Sequence, residues 1–476
     1  MPPSSNTAAE HPALIATAAE AVGGPADFPA SIARSTLQGF PVQLVMLIGL
    51  LGVALLAEVQ RSATAYCVLA TALTLGLVPT WRNWIRRRNG KMAILLAIGA
   101  MLSALAVGSD LVRILVAASR MAVVIVLVLC VSLIRPALAE LGLDHAVAAI
   151  AARAPRSLRG CAILLGVMIS GLGLSFGAVG VFGGSLRGRT DDDATAARAA
   201  MRGLALSMTL GPSTASVAAV MAAYPQVGWG NALPIALPIA LAGIVMGSIA
   251  ARRLRISAEP ASSEELTRAI LAIVAVPAAA VFLHLTLNLS MTLAIATAAV
   301  FVAVSLLTGA TRKKRGDARQ VLLRANVQLG AAWAQASAET ALFLACGLVL
   351  GLMRDPVIAA SARAAFAFVP RGYPGLLVMM VGVPLVTTIG IHPMALFAVL
   401  APVLTPSMLG MPEPDVFQAW IVAVGLSMVV SPASILTITT ILSFGVPADR
   451  LCLRGNGLYA AGLAAIATCL FSILSR

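Results

Sequence analysis

The chain has 476 residues, 59% of them hydrophobic and only 11% charged, with a formal net charge of +14. A water-soluble globule cannot bury so large an apolar share, so the composition points to an all-α polytopic membrane protein. The basic residues sit in short loops between apolar runs, without interleaved aromatics; this reads as topology determinants and lipid-headgroup contacts and argues against a nucleic-acid partner.

Residues 1–39 are polar and rich in Ala and Pro, with acids at Glu10, Glu20 and Asp27. They lack the basic start and short apolar core of a cleaved signal peptide and read as a cytoplasmic tail. Apolar spans are predicted at 40–59, 67–81, 92–108, 111–138, 203–223, 232–250, 269–288, 291–308, 325–353, 418–446 and 456–475. The basic loops 82–91 (RNWIRRRNGK), 251–255 (ARRLR) and 311–319 (TRKKRGDAR) should face the cytoplasm.

Two further apolar stretches break this alternation. Residues 161–186 are flanked by Arg153, Arg156 and Arg159 before and by Arg187, Arg189, Arg198 and Arg202 after. Both flanks look cytoplasmic, and the Gly-rich run SGLGLSFGAVGVFGG (170–184) suits a tight turn at depth. Residues 374–408 mirror this, with no Lys or Arg from 372 to 449 and with Glu413 and Asp415 following. Both stretches are predicted as re-entrant hairpins, entering from opposite faces, the second with its tip at TTIGIHP (387–393). The alternative, two full spans, would force an Arg-rich flank to the outer face. The total is about eleven transmembrane helices plus two hairpins, in an inner (plasma) membrane, amino terminus inside and carboxyl terminus outside.

LSMTLGPSTASV (206–217) recurs in pattern as LSMVVSPASILT (426–437), and LVLCVSLIRP (127–136) resembles LACGLVLGLMRDP (344–356). These mark two inverted repeats, 92–255 and 311–476, with scaffold helices at 40–91 and connecting helices at 256–310. Proline removes a backbone donor and clashes with the preceding turn, so Gly211-Pro212 and Ser431-Pro432 should break their helices. The freed helix ends attract anions, and the freed carbonyls, with the hydroxyls of Ser213, Thr214, Ser216, Ser434, Thr437 and Thr439, suit Na⁺ or a proton-linked water. Interrupted helices at matching places in inverted repeats point to a transporter site near the midplane.

Isolated polar residues are weighed in turn. His392, at the second tip, either carries a coupling proton or binds an anion, or is a turn residue bonded to backbone. Arg120 is placed near the outer interface and Glu339 near the inner one, too far apart in depth for a salt bridge; Glu339 is then interfacial or a cytoplasmic-side ion contact. His284 reads as structural and Glu58 as solvated. The pieces 139–158 and 355–371 read equally as interfacial helices or as plain surface helices. The six cysteines form no CxxC or His-Cys cluster and read as reduced structural thiols. The four histidines are scattered, and neither HExxH, GxSxG nor GxxxxGK[ST] occurs, which argues against an intramembrane enzyme and an ATP-driven pump.

The pattern resembles the ion transporter superfamily, especially the divalent anion:sodium symporter family and the large membrane subunit of tripartite ATP-independent periplasmic transporters. LGPSTAS (210–216) and VSPASIL (430–436) resemble the family's broken-span turns. TTIGIHPMALFAVLAPVL (387–404) and ISGLGLSFGAVGVF (169–182) resemble its hairpins. Where those families carry Asn at each tip, this chain has Ser170-Gly171-Leu172 and Gly390-Ile391-His392. The resemblance implies an elevator-type secondary transporter and a homodimer, with a moving domain of hairpins and broken spans. The expected cargo is a small organic anion, a carboxylate, bound by Ser170, Gly171, Gly211, Pro212, Ser213, Thr214, Thr388, Gly390, His392, Ser431, Pro432 and Ser434. Ser216, Thr437, Thr439 and His392 are the expected coupling-ion ligands. No cofactor is expected beyond Na⁺ or H⁺ as coupling ion, and a tripartite system would add a separate substrate-binding protein. The alternatives are a cation/proton or metalloid exporter of the same superfamily and a passive anion channel.

Overall fold

The structure, a computed structural model, describes residues 42–134, 137, 149, 151–211, 214–224, 226–257, 262–314 and 318–474. The expected tail, most of the piece 139–158, and Pro212 and Ser213 lie outside the described residues. Among the described residues every regular element is helical, apart from one isolated bridge between Thr190 and Ile256. The chain is an all-α polytopic membrane protein. Eight of its described helices are long and apolar enough to cross a bilayer, or nine if segments 336–352 and 356–365, bent by 97°, form one span.

That count differs from the eleven expected spans for physical reasons. The helix over 193–210 begins with a polar turn, DATAAR, and stops before the break, so 203–223 is not one apolar helix. Only shorter apolar segments are described at 43–59 and 274–287. Conversely, segment 156–174, the entering arm of the expected first hairpin, is itself of spanning length.

The helices are α1 (Val42–Val59), α2 (Ala63–Leu77), α3 (Trp81–Arg86), α4 (Arg88–Val107), α5 (Leu111–Ser132), α6 (Arg159–Leu174), α7 (Gly177–Leu186), α8 (Asp193–Leu210), α9 (Ala215–Ala223) and α10 (Trp229–Ala250). There follow α11 (Ser263–Leu287), α12 (Met291–Lys314), α13 (Ala318–Leu352), α14 (Pro356–Ala365), α15 (Tyr373–Thr387), α16 (Pro393–Leu400), α17 (Pro406–Leu409), α18 (Glu413–Val430), α19 (Ile435–Phe444), α20 (Ala448–Leu451) and α21 (Leu453–Leu474).

Helix α13 packs along α5 and α4. Small residues let its backbone approach closely: a Cβ at Gly347 would lie 2.7 Å from Ala118 Cα, and one at Gly351 2.8 Å from the Ile114 carbonyl oxygen. The ends of α4 and α13 meet where Ser109 Oγ donates to Asp355 at 2.7 Å. Asp355 also accepts from the Val357 and Ile358 N–H groups and so caps α14. Glu58, expected to be solvated, instead accepts from the backbone N–H and hydroxyl of Ser290, tying the end of α1 to the start of α12. His284 Nδ1 meets the Leu289 carbonyl at 2.7 Å, a structural contact as expected. All six cysteines are free.

The same neighbour pattern occurs twice. Helices α6, α8 and α10 pack on one another, as do α15, α18 and α21, and α8 lies against α18. The buried Arg202 joins the two sets: Nε donates to Asn456 Oδ1 at 2.8 Å, Nη2 donates to the Gly455 carbonyl at 3.0 Å, and the guanidinium lies 4.9 Å from the Tyr459 ring.

Both apolar anomalies are helical hairpins with their ends drawn together. Arg159 Nη1, at the start of α6, donates to the Ile256 carbonyl at 3.3 Å, while the Ser257 N–H donates to the carbonyl of Arg189, just past α7, at 2.8 Å. Both ends of α6–α7 therefore touch the single loop 251–257. In the second, the Gly372 N–H, just before α15, donates to the Leu409 carbonyl at 2.7 Å.

Candidate functional site

The two expected breaks share one local construction. In the first, α8 stops with the Gly211 N–H donating to Ser207 O at 2.7 Å, and Thr214 Oγ1 caps α9 by accepting from the Val217 N–H. In the second, the Ser431 N–H donates to Ser427 O at 2.9 Å, and Ser434 Oγ caps α19 by accepting from the Thr437 N–H at 3.1 Å. Equivalent residues stand 220 positions apart (431 against 211, 434 against 214), and extended backbone at Gly211, Thr214, Ser431 and Ser434 forms each gap.

The hydroxyls of the second break bond within the break. Ser434 Oγ donates to the Met428 carbonyl at 2.7 Å, and Thr437 Oγ1 donates to the Ser431 carbonyl at 2.8 Å. The Met428 and Ser431 carbonyls at the second break thus each accept a hydroxyl from within the break. Ser431 Oγ accepts from the Ala433 N–H at 3.2 Å and donates to the Ile391 carbonyl at 3.5 Å, binding the break to the second hairpin tip. Thr439 lies half-buried on α19.

The first tip lies further along than the sequence suggests. Ser170 and Gly171 are inside α6, where Ser170 Oγ donates to the Gly166 carbonyl at 2.6 Å and a Cβ at Gly171 would meet Ser207 Oγ at 2.6 Å. Their role is close packing of α6 on α8. The turn itself is Ser175–Phe176, with Ser175 at φ 49. The second tip falls within the expected stretch. Thr388 Oγ1 donates to the Leu385 carbonyl at 2.7 Å, Gly390 takes φ 91, and His392 caps α16 by accepting the Met394 N–H on Nδ1 at 3.2 Å. Arg88 Nη2, at the start of α4, donates to the Ile389 carbonyl at 3.0 Å.

These pieces converge on one narrow pocket with free space for about one water molecule. Its floor is α5 and α13. Its other walls come from the first tip (Phe176), from α9 just past the first break (Ser216), from the second tip (His392), and from both sides of the second break (Met428, Ile435). Most of the surface is apolar. Three polar atoms are buried there without a hydrogen-bond partner: Ser216 Oγ, His392 Nε2 and Glu339 Oε2. His392 and Ser216 are 2% and 1% exposed. Because His392 Nδ1 accepts from backbone, the neutral ring carries its proton on Nε2 and presents an N–H donor to the cavity. The second Glu339 oxygen, Oε1, accepts from Asn89 Nδ2 at 3.3 Å.

Of the expected site residues, Ser216 and His392 line this cavity. Gly211, Thr214, Ser431, Pro432, Ser434 and Thr437 build the breaks behind it. Glu339 is the residue that sequence reasoning left out of the site. The available signal was that it is the one acid between Asp317 and Asp355.

No family model matches the chain, and no curated protein resembles it. Among solved structures it is similar to the Alcanivorax borkumensis YdaH transporter, described as having an unusual topology. The two share 14% sequence identity and a TM-score of 0.45, over 73% of this chain and 82% of that one.

Proposed function

We propose that the protein is an elevator-type secondary active transporter of a small organic anion of the carboxylate class, coupled to Na⁺ or H⁺. The observation that carries this reading is convergence. Two helix breaks of one construction and two hairpin tips, drawn from two similar segments of the chain, meet at one buried cavity holding unpartnered polar atoms. Backbone gaps at depth are stable only where protein or a water-filled space surrounds them, and carriers place such gaps at the cargo site. The joined ends of each hairpin favour re-entrant units, and the doubled packing of α6, α8, α10 and α15, α18, α21 favours two repeats of one plan. The scaffold is then α1–α5 with α11–α13, and the moving domain is the two hairpins with the broken helices. An inner-membrane location with a cytoplasmic amino terminus, and a homodimeric assembly, go with this reading.

One observation favours a second reading, export of a cation or metalloid against protons: Glu339 puts a carboxyl group in the cavity. A divalent metal cargo is not favoured, since no group of three or more His, Cys, Asp or Glu occurs among the described residues. A thermal-shift panel of the purified protein against acetate, succinate, citrate, benzoate, methanesulfonate and sulfate, in Na⁺ or K⁺ and at acid and neutral pH, separates these readings. The expected result is stabilisation by one or more carboxylates, followed by accumulation of that carboxylate against its gradient in proteoliposomes. Stabilisation by cations alone would favour the exporter, and equilibration without accumulation would indicate a channel.

A further inference from the structure

We propose that the Glu339 carboxyl binds the coupling proton and, once protonated, completes with His392 and Ser216 a three-donor cradle for one carboxylate group of the cargo. This rests on the transporter reading above and narrows its coupling ion to the proton.

The argument begins with unpartnered atoms. A buried polar atom without a partner is uncommon and costly, and here three lie in one cavity. Two of them are donors by chemistry: the His392 Nε2–H, fixed by the backbone bond at Nδ1, and the Ser216 hydroxyl. The third changes sign with its proton. Ionised, Glu339 Oε2 only accepts; protonated, it donates.

A hard cation fits poorly, because it needs several oxygens. The side-chain oxygens lining the cavity are those of Glu339, Ser216 and Thr340, fewer than a hard cation's six or more ligands, and the carbonyls of Met428 and Ser431 each already accept from Ser434 and Thr437. The groups facing Glu339 are His392 from the second tip, Asn89, and the Arg87 guanidinium acting electrostatically from just before α4. Arg88 is turned to the Ile389 carbonyl instead. Helices α5, α9, α18 and α19 bring to the cavity only Ile125, Val128, Ser216, Met428 and Ile435. Arg120 of α5 is exposed and acts on Tyr66 and Arg354, away from the cavity.

The coupling follows from this. An ionised Glu339 repels an anionic cargo across a low-dielectric space, while a protonated one hydrogen-bonds it. Proton and anion therefore bind together and leave together, and each raises the affinity of the other by the same factor. Glu339 belongs to α13, whereas His392 and Ser216 belong to the proposed moving domain, so the loaded site bridges the two.

The test uses full-length protein. Affinity for the stabilising member of acetate, succinate, citrate and benzoate is measured by thermal shift across the acid-to-neutral range. For wild type it should fall about tenfold per pH unit above the titration of Glu339, as one linked proton requires. Glu339→Gln keeps a donor at the site and should bind the same carboxylate with an affinity flat in pH. It should also fail to accumulate that carboxylate in proteoliposomes under an acid-outside gradient. His392→Gln should weaken binding at every pH and leave the slope intact. Replacing Na⁺ by K⁺ should leave wild-type accumulation unchanged. A wild-type slope that survives in Glu339→Gln, or a Na⁺ requirement, overturns the proposal while leaving the transporter reading in place. If no carboxylate binds, that reading fails, and infrared difference spectra of the unliganded protein decide the titration alone. A protonated-carboxyl band that grows on acidification in wild type and is missing from Glu339→Gln supports the proton site; the same band in both overturns it.

Discussion

The two hairpins share a plan and differ at their tips. The first turns over in two residues, Ser175 and Phe176, both buried, and its return arm α7 packs on α8 and α19. The second needs five residues, 388–392, with Ile389 72% exposed and its carbonyl held by Arg88, and its return arm α16 packs on α13 and α18. The first tip gives the cavity shape, through the Phe176 ring. The second gives it chemistry, through His392 Nε2. In the breaks the roles reverse: past the first, the Ser216 hydroxyl stays unpartnered, whereas the second is closed by the hydroxyls of Ser434 and Thr437. The first copy thus contributes one unpartnered polar atom, Ser216 Oγ, and the second two, His392 Nε2 and Glu339 Oε2, so a doubled backbone makes an asymmetric site.

The largest expected effect breaks the comparison at the helix facing the first hairpin. A Cβ at Gly203 in α8 would lie 2.3 Å from the Leu164 carbonyl oxygen of α6. The residue 220 positions later is the buried Ala423. Gly203→Ala should cost about 1–3 kcal/mol by overpacking. Ala423→Gly should cost about 1 kcal/mol, the usual penalty of glycine in a helix. Thermal unfolding in detergent reads both, and similar losses would mean that the two arms pack alike.

At the second tip, Gly390→Ala meets two obstacles, φ 91 and a Cβ within 2.1–2.3 Å of the Arg88 guanidinium. The expected loss is about 1–2 kcal/mol. Arg88→Ala should relieve part of it, so the double variant should lose less than the sum of the singles. At the first tip, Ser175 holds φ 49 without being glycine, so Ser175→Gly should raise stability by about 1 kcal/mol. No gain there would show that the short turn is unstrained.

The smallest effect is electrostatic and lies in the turn joining α13 to α14. The Ser109 hydroxyl, with the Val357 and Ile358 N–H groups, holds the Asp355 carboxyl below the usual carboxylate range. The ionised form is the one favoured by folding. Its contribution is therefore present above the unfolded value of about 3.9 and is lost as pH falls through the lower folded value. Asp355→Asn should flatten that part of the pH–stability profile, and an unchanged acid limb would remove Asp355 as its source.

Much of this plan was legible from residue order. Loop charge singled out both apolar anomalies, through arginines on both sides of 161–186 and the lack of Lys or Arg from 372 to 449, and each contains a helix pair, α6–α7 and α15–α16. The Gly-Pro and Ser-Pro steps located both breaks: proline removes a backbone donor, and Thr214 and Ser434 restart the chain as N-caps there, whereas Pro234, Pro238, Pro277 and Pro384 sit inside unbroken helices. The first tip was displaced because Ser-Gly at 170–171 reads as a turn, whereas here those small residues let α6 approach α8. The closure of Ser434 and Thr437 onto Met428 and Ser431 was not readable, since a free hydroxyl and one bonded to its own turn have the same sequence. Helix rise alone read Glu339 as interfacial or as a cytoplasmic-side ion contact, whereas the structure buries its Oε2 in the cavity with Ser216 and His392. Its inclusion in the site depends on which face of α13 meets the second tip, which is a property of tertiary packing.

Sidedness of the hairpin ends tests the central claim most directly. Single cysteines at Ser157, Arg187, Arg371 and Ser407, all exposed, are introduced into a cysteine-free chain and labelled with a membrane-impermeant thiol reagent in right-side-out and inverted vesicles. The expected result is that 157 and 187 label only from the cytoplasmic face and 371 and 407 only from the opposite one. Labelling of 157 and 187 from different faces would make the first hairpin a crossing and contradict the account.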